Sequence, residues 1–313
     1  MNLKNFLLKV AIFFIIAIVI DFALGAVFSY MVNNSKGGDN GRNNYICNLT
    51  SEDILVFGSS RAIHHYNPTI ITDSLGLSCY NCGQDGNGVI LNYGRYQLIA
   101  QRYHPKMVIY DVSPQLDLHA GEDNHKYLGW LRAYYDRPGI AEIFESVDKT
   151  EKLKMLSRMY RYNSKFVQII TDYIHPLESD GINGFRPNEA ELDTLKIARH
   201  SFEEGSYEYD SLKLHYLNKM LDTAPDVRFV FVVSPYWYGA DTASFAPLKQ
   251  LCEQRHIPLI DFSNNPKYVH HNEFFSDGAH LNARGADEFT RDIVKQIKAL
   301  GVAGKNPAVT IAQ

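Results

Sequence analysis

Apolar residues in this chain follow two patterns. Near the N-terminus they form one unbroken run from Val10 to Ile20, which resumes after Asp21 and continues to Val32. Beyond residue 53 they come in short bursts at Ile54–Phe57, Cys79–Cys82, Met107–Val112, Arg228–Val233 and Pro258–Phe262. These bursts are too short for helices and lack apolar–polar alternation, as expected of strands buried on both faces of a parallel sheet. Helical spacing fills the gaps, at Gly88–Tyr103, Ala243–Arg255 and Ala283–Leu300. Strand and helix in alternation predict a doubly wound α/β fold, and no solenoid repeat interrupts it.

One connection breaks the rhythm. From Val112 to Arg228 the chain makes a detour far longer than an ordinary crossover, with helical stretches at Glu151–Ile174 and Tyr207–Leu221. A helical insertion over about 114–226 is expected, on the edge of the sheet where α/β proteins bind ligands. Its aromatics Tyr127, Trp130, Tyr134 and Tyr135 suit the insertion's own core, with sugar stacking as the alternative. Residues 33–52, polar and rich in Asn and Gly, read as a linker, 53–301 as the α/β domain and 302–313 as a tail.

The N-terminal run exceeds the roughly 20 residues that cross a bilayer. Lys4 and Lys9 precede it, which keeps the N-terminus cytoplasmic and exports the rest. A cleaved signal peptide would end near Ala23-Leu24-Gly25-Ala26, but the apolar stretch outlasts an ordinary signal core. Residues 1–32 are therefore expected to be a retained single-pass anchor, Asp21 costing about 3 kcal/mol at most. A net charge of −4 without a basic stripe sets nucleic acid aside. Cys47, Cys79, Cys82 and Cys252 allow three pairings, yet Cys79-x-x-Cys82 has no second pair to complete a zinc site. Buried thiols and no metal are expected.

The candidate chemistry begins at "ILVFGSSRAIHH", residues 54–65, where a buried strand runs straight into Gly58-Ser59-Ser60. A serine just past a strand's C-terminal end exposes its hydroxyl at the ligand edge, with the next helix's amides beside it. A base stands at the other end of the chain, in "FFSDGAHLNARGADEF". Asp277 and His280 are three residues apart across small residues, so a turn brings the carboxylate to Nδ1 and leaves Nε2 for Ser60. Asn282 is placed to cap the last helix. Arg61 either binds an anionic substrate group or anchors the first helix. His64 and His65, neighbours that do not share a helix face, read as supporting or surface residues, as do His270 and His271.

Together these residues resemble the SGNH/GDSL hydrolase superfamily, which acts on esters. The resemblance covers about residues 53–300 apart from the insertion, and implies a flavodoxin-like three-layer sandwich with a parallel central sheet. "VFGSS" matches the first block, with Ser59 in place of the family's aspartate and Ser60 as nucleophile. Asp277 and His280 match the last. "YNCGQDGNG" is similar to the second, which puts the oxyanion glycine at Gly86, with Gly83 in reserve. The third block departs: "YDVSPQLD" has no asparagine, and Gln115 falls at its position, with Asn87 as another donor.

The resulting expectation is a membrane-anchored extracytoplasmic serine esterase or O-acyltransferase. It would use Ser60, His280 and Asp277, with oxyanion support from Ser60, Gly86 and Gln115 and substrate contacts at Arg61 and Asn87. The resemblance and the export signal imply an acylated carbohydrate or cell-envelope polymer as partner, and neither metal nor organic cofactor. The alternative is a catalytically degenerate binding or scaffold protein of a polysaccharide assembly or export system.

Overall fold

The computed structural model describes residues 2–121, 124–163, 165–175, 181–193 and 207–301. In chain order the elements are α1 (Leu3–Asn34), α2 (Gly38–Asn44), β1 (Ile54–Gly58), α3 (Ser60–His65), α4 (Pro68–Leu75), β2 (Cys79–Asn81) and α5 (Val89–Ala100). There follow β3 (Met107–Asp111), α6 (Pro114–Asp117), α7 (Ile140–Val147), α8 (Glu151–Lys154) and α9 (Phe166–Ile174). The chain closes with α10 (Ser211–Thr223), β4 (Arg228–Val233), α11 (Ala246–Arg255), β5 (Leu259–Asp261) and α12 (Ala283–Ala299). They divide into two units. The first takes its residues from 1–50, 90–102 and 121–180, the second from 51–89, 103–120 and 181–313.

The second unit holds a 5-stranded sheet in the order β2-β1-β3-β4-β5, parallel throughout. That is the flavodoxin-like doubly wound order, whose switch point lies beside β1. Ile54, Val56, Met107, Ile109, Val230 and Val232 project from one face into a core shared with Tyr66 just after α3, Ile71 of α4, and Phe289 and Ile293 of α12. The alternate residues Leu55, Phe57, Val108, Tyr110, Phe231 and Val233 are buried as well. Burial on both faces explains why the strands read as continuous apolar runs. The four cysteines are free and buried.

The first unit departs from expectation in two places. Residues 33–52 are no linker, because α1 runs on to Asn34 and is followed by α2 and a π-helical turn at Tyr45–Leu49. Their polar side chains are internal partners: Asn43 Oδ1 accepts from Arg95 Nε at 3.0 Å and Nη2 at 2.8 Å. Asn40 Nδ2 donates to Asp172 at 2.8 Å. A buried amide satisfied by a charged group is stable inside, so polarity here did not mean solvent. The stretch Glu151–Ile174 also breaks, into α8, a 3-10 turn at Met159–Tyr162, and α9. Asp21 of α1 captures Ser157 Oγ at 2.6 Å and the amides of Arg158 and Met159 at 2.7 and 3.1 Å, which stops the helix there. α1 itself begins at Leu3, earlier than the apolar run suggested, and is the one described helix long and apolar enough to cross a membrane, with mean hydropathy 2.8 in its best window.

Candidate active site

The site grows from the end of β1. Gly58 has φ +142, and a Cβ there would stand 2.5 Å from the Asp111 carbonyl oxygen and 2.8 Å from Ala62 Cβ, so only glycine fits the bend. Ser59 then caps α3, its hydroxyl accepting from the Arg61 amide at 3.4 Å. That leaves Ser60, half-buried in the first turn, to face outward. The loop after β2 is laced to the same bend, with Cys82 N donating to Val56 O at 2.7 Å and Gln84 N to Gly58 O at 3.1 Å.

A tight turn brings the other partners. Phe275 and Leu281 form an antiparallel bridge, and Ser276 N donates to His280 O at 2.9 Å. Within the turn Asp277 Oδ1 accepts the amides of Ala279 and His280, each at 2.8 Å. The Asp277 carboxylate lies 2.8 Å (Oδ2) and 3.0 Å (Oδ1) from His280 Nδ1, and His280 Nε2 lies 2.7 Å from Ser60 Oγ. Burial pushes the Asp277 carboxyl up, but the imidazole and the two amides outweigh it and hold it below its ordinary value. An ionised carboxylate accepts from Nδ1–H, which leaves Nε2 as an acceptor for the serine proton. Asn282 caps α12 as expected, accepting from Gly285 N at 2.9 Å.

Behind the turn sits His65, fully buried. Leu281 N donates to its Nε2 at 3.0 Å, so its proton is on Nδ1, which faces Ser234 Oγ at 3.1 Å. Burial, helped by the Arg61 charge, lowers its pKa well below the ordinary value and keeps the ring neutral. His64 bonds Arg186 O at 2.6 Å and Asp85 at 3.0 Å. Burial lowers its pKa, but these acceptors win and the net shift is upward.

Of the two expectations for Arg61, its surroundings match the anchor of α3. The residue is 2% exposed, its guanidinium bonds Ser234 O and Oγ (2.7 Å to Oγ), and it stacks 3.7 Å above the Tyr236 ring. It anchors α3 from beneath, with Asp111 for counter-charge. Burial pushes the Asp111 carboxyl up while Arg61 opposes, and Tyr66 donates to it at 2.7 Å. Of this buried network, Arg61 as an anchor of α3 and His65 as a supporting residue were among the expectations; Ser234, Asp111 and Tyr66 were not.

The remaining expected residues lie on the loop after β2 and on α6. Gly86 has φ +63 and open space where a Cβ would be. Asn87 is 9% exposed, donates from Nδ2 to Asp85 O at 2.7 Å, and leaves Oδ1 buried without a partner. The Gly83 amide is taken by Asn81 Oδ1 at 3.0 Å, which removes the reserve oxyanion donor. Gln115 is exposed on α6, and a Cβ at Gly88 would lie 2.2 Å from Leu116 O, so α6 packs against the Gly86–Gly88 loop. At its base Asp117 accepts from Ser113 N at 2.7 Å and Tyr110 at 2.8 Å, and burial pushes its carboxyl up to about 7. Near the Asp277–His280 turn, a cavity of about 390 Å³ is lined by Asn188, Glu189, Glu191, Asn272, Glu273 and Arg284 among others. In the first unit His125, Asp148 and Glu151 offer ligand atoms within 4.8 Å, but Lys154 Nζ already stands 2.7 Å from Glu151 and 3.2 Å from Asp148.

No protein-family model and no curated protein matches the chain. Solved structures do. A protein assigned to the lipolytic G-D-S-L family from Desulfitobacterium hafniense is similar at 9% identity, covering 78% of this chain and 98% of that one, with TM-score 0.37. A family two carbohydrate esterase from Clostridium thermocellum is similar at 10% identity, covering 80% and 65%, with TM-score 0.37. An acetyl xylan esterase from the rumen bacterium Butyrivibrio proteoclasticus is similar at 9%, covering 81% and 66%, with TM-score 0.37.

Proposed function

We propose that this protein is an SGNH/GDSL-type serine esterase or O-acyltransferase, held at the outer face of a membrane by α1 and acting on acyl esters of an envelope glycan. One observation carries the reading: Ser60 Oγ, His280 Nε2 and Nδ1, and the Asp277 carboxylate form a continuous chain of bonds at 2.7 and 2.8 Å. A serine merely capping a helix needs no imidazole, and an imidazole merely solvated needs no carboxylate.

In the reaction, Ser60 attacks the acyl carbonyl as His280 takes its proton, and Asp277 stabilises the imidazolium. The tetrahedral oxyanion is met by the Ser60 and Gly86 amides, with the Gln115 amide as third donor. His280 returns the proton to the sugar oxygen as the C–O bond breaks, leaving an acyl-serine. Water, or a second sugar hydroxyl, then gives its proton to His280 and attacks the acyl carbon; the bond to Ser60 Oγ breaks as His280 returns that proton to the serine, releasing acid or a new ester. The cavity near the turn supports a glycan partner, since its carboxylates and amides suit hydroxyl groups better than anions. The apolar run of α1, with Lys4 and Lys9 ahead of it in the first turns of the helix, supports an extracytoplasmic site.

Labelling the detergent-solubilised full chain with a fluorescent fluorophosphonate tests this. The wild-type protein should label, and Ser60→Ala should not, with its fold unchanged by circular dichroism. A wild-type chain that stays inert, and forms no acyl adduct by mass spectrometry with an activated acetyl ester, would favour the scaffold alternative.

A further inference from the structure

The first unit carries a surface that the esterase chemistry does not explain. Outside α1, all but two (Ile182 and Leu300) of the exposed large apolar side chains among the described residues belong to this unit. Those on α8 and α9 and just beyond are fully presented: Leu153 is 70% exposed, Leu156 71%, Val167 79% and Ile174 57%. α9 is apolar on opposite sides. Phe166 and Ile169 pack inward, with the Phe28 and Phe166 rings 5.2 Å apart. Val167, Ile170 and Ile174, at helical spacing i, i+3 and i+7, are exposed among the described residues, Ile170 least at 38%. Such a stripe on a water-soluble surface is costly.

Its level along α1 says what covers it. About 20 helical residues cross the ~30 Å hydrocarbon core of a bilayer, so a core that begins after Lys9 ends near Ser29. α9 meets α1 there, through Phe28 and through Tyr30, whose ring lies 6.2 Å from that of Tyr173. Leu156 lies deeper, next to Ser157, whose hydroxyl donates to Asp21. Asp21 lies eight residues inside that boundary, roughly 12 Å at 1.5 Å per residue, and its carboxylate is met by a hydroxyl and two amides. That answers how an apolar helix carries a carboxylate at this depth. Beside α1 a groove of about 440 Å³ is lined by Phe22, Ala26, Tyr162, Arg137, Arg158 and Arg161 among others. Asp136, bound by Arg161 at 2.6 and 3.0 Å and by Arg158, is the sole carboxylate among its lining residues. Three guanidiniums against one carboxylate leave the groove positive, and long arginine side chains beside α1 can reach up to lipid phosphates.

We infer that the first unit is seated in the outer leaflet of the bilayer, with α9 lying in the headgroup layer, its Val167–Ile170–Ile174 stripe and Leu153 and Leu156 turned to acyl chains, and the arginine groove turned to lipid phosphates. The inference rests on α1 being a membrane span, and adds a second, non-spanning contact that a simple tether would lack.

Nitroxide spin labels test it on the full chain in phosphatidylcholine–phosphatidylglycerol vesicles. The native thiols are buried, so labels go to Val167→Cys, Ile174→Cys, Ile15→Cys in the span and Glu253→Cys on an exposed position of α11. At Val167 and Ile174 the ratio of oxygen to water-soluble nickel-chelate collisions should exceed that at Glu253 by at least about threefold, as for a side chain seated ~5–10 Å into the headgroup–acyl boundary. A dry Ile15 with Val167 and Ile174 as wet as Glu253 overturns the inference and leaves the anchor standing. A wet Ile15 overturns both. Labels at Val167 and Ile174 shielded from both reagents mark a protein contact there, and equally overturn it.

Discussion

Asp277→Asn is the substitution whose effect can be worked out atom by atom. Asp277 Oδ1 is committed to two backbone amides, Ala279 N and His280 N, each at 2.8 Å. An asparagine keeps its own oxygen there, since turning it would set an NH2 against two N–H donors. Its amide nitrogen must then occupy the Oδ2 position, 2.8 Å from His280 Nδ1. A donor now faces Nδ1, the imidazole proton moves to Nε2, and Ser60 meets an N–H in place of a base. Where such a carboxylate is buried, the exchange costs about 10⁴ in kcat. The Asp277 and His280 side chains are 56% and 26% exposed, so water can supply part of what the carboxylate did. A loss of about 10³, near 4 kcal/mol of barrier, is expected. Steady-state hydrolysis of an aryl acetate should show it in kcat with KM unchanged, because Asp277 touches no substrate. The melting temperature should move by no more than about 2 °C, since both amide bonds survive. A folded variant within tenfold of wild-type kcat would refute the assignment of Asp277.

Three further outcomes follow from the surroundings of the site. Gln115→Ala should lower kcat by about a hundredfold at constant KM; an unchanged kcat, with a loss in Asn87→Ala, would move the donor to Asn87. Arg61→Met leaves Asp111 buried without its cation and should destabilise the fold by about 3–5 kcal/mol, read as a denaturation midpoint; a raised KM at unaltered stability would return Arg61 to the substrate. Asp117 is pushed up to about 7 by burial, from an ordinary 3.8, so the folded state holds the proton more tightly. Its contribution is therefore complete below pH ~4 and is lost as pH rises through about 7, roughly 4 kcal/mol at most. Asp117→Asn should flatten the stability profile over that window, and equal slopes in the two proteins would show that Asp117 is already ionised in the fold.

The linear chain contains the sheet almost whole. Strands buried on both faces have no solvent side to encode, so Ile54–Gly58, Met107–Asp111 and Arg228–Val233 appear as short apolar runs, set apart from helices by their length. The contact of Ser60, His280 and Asp277 was also legible, because each residue's placement follows local rules: a glycine bend after a strand, and a three-residue turn closed by its own amides. Arg61, His65 and the linker were another matter. Arg61 next to Ser60 reads equally as a ligand or as an anchor until Ser234 and Tyr236, brought in by β4, enclose it. The polar run at 33–52 looks like solvent-borne chain until Arg95 and Asp172 arrive to satisfy its asparagines. A hydrogen bond is a property of two groups, and when they are fifty or a hundred residues apart neither one's sequence neighbourhood records it. Periodicity and turn chemistry act within a few residues and are written in the chain; the pairing of a buried polar group is decided only when folding brings its partner to it.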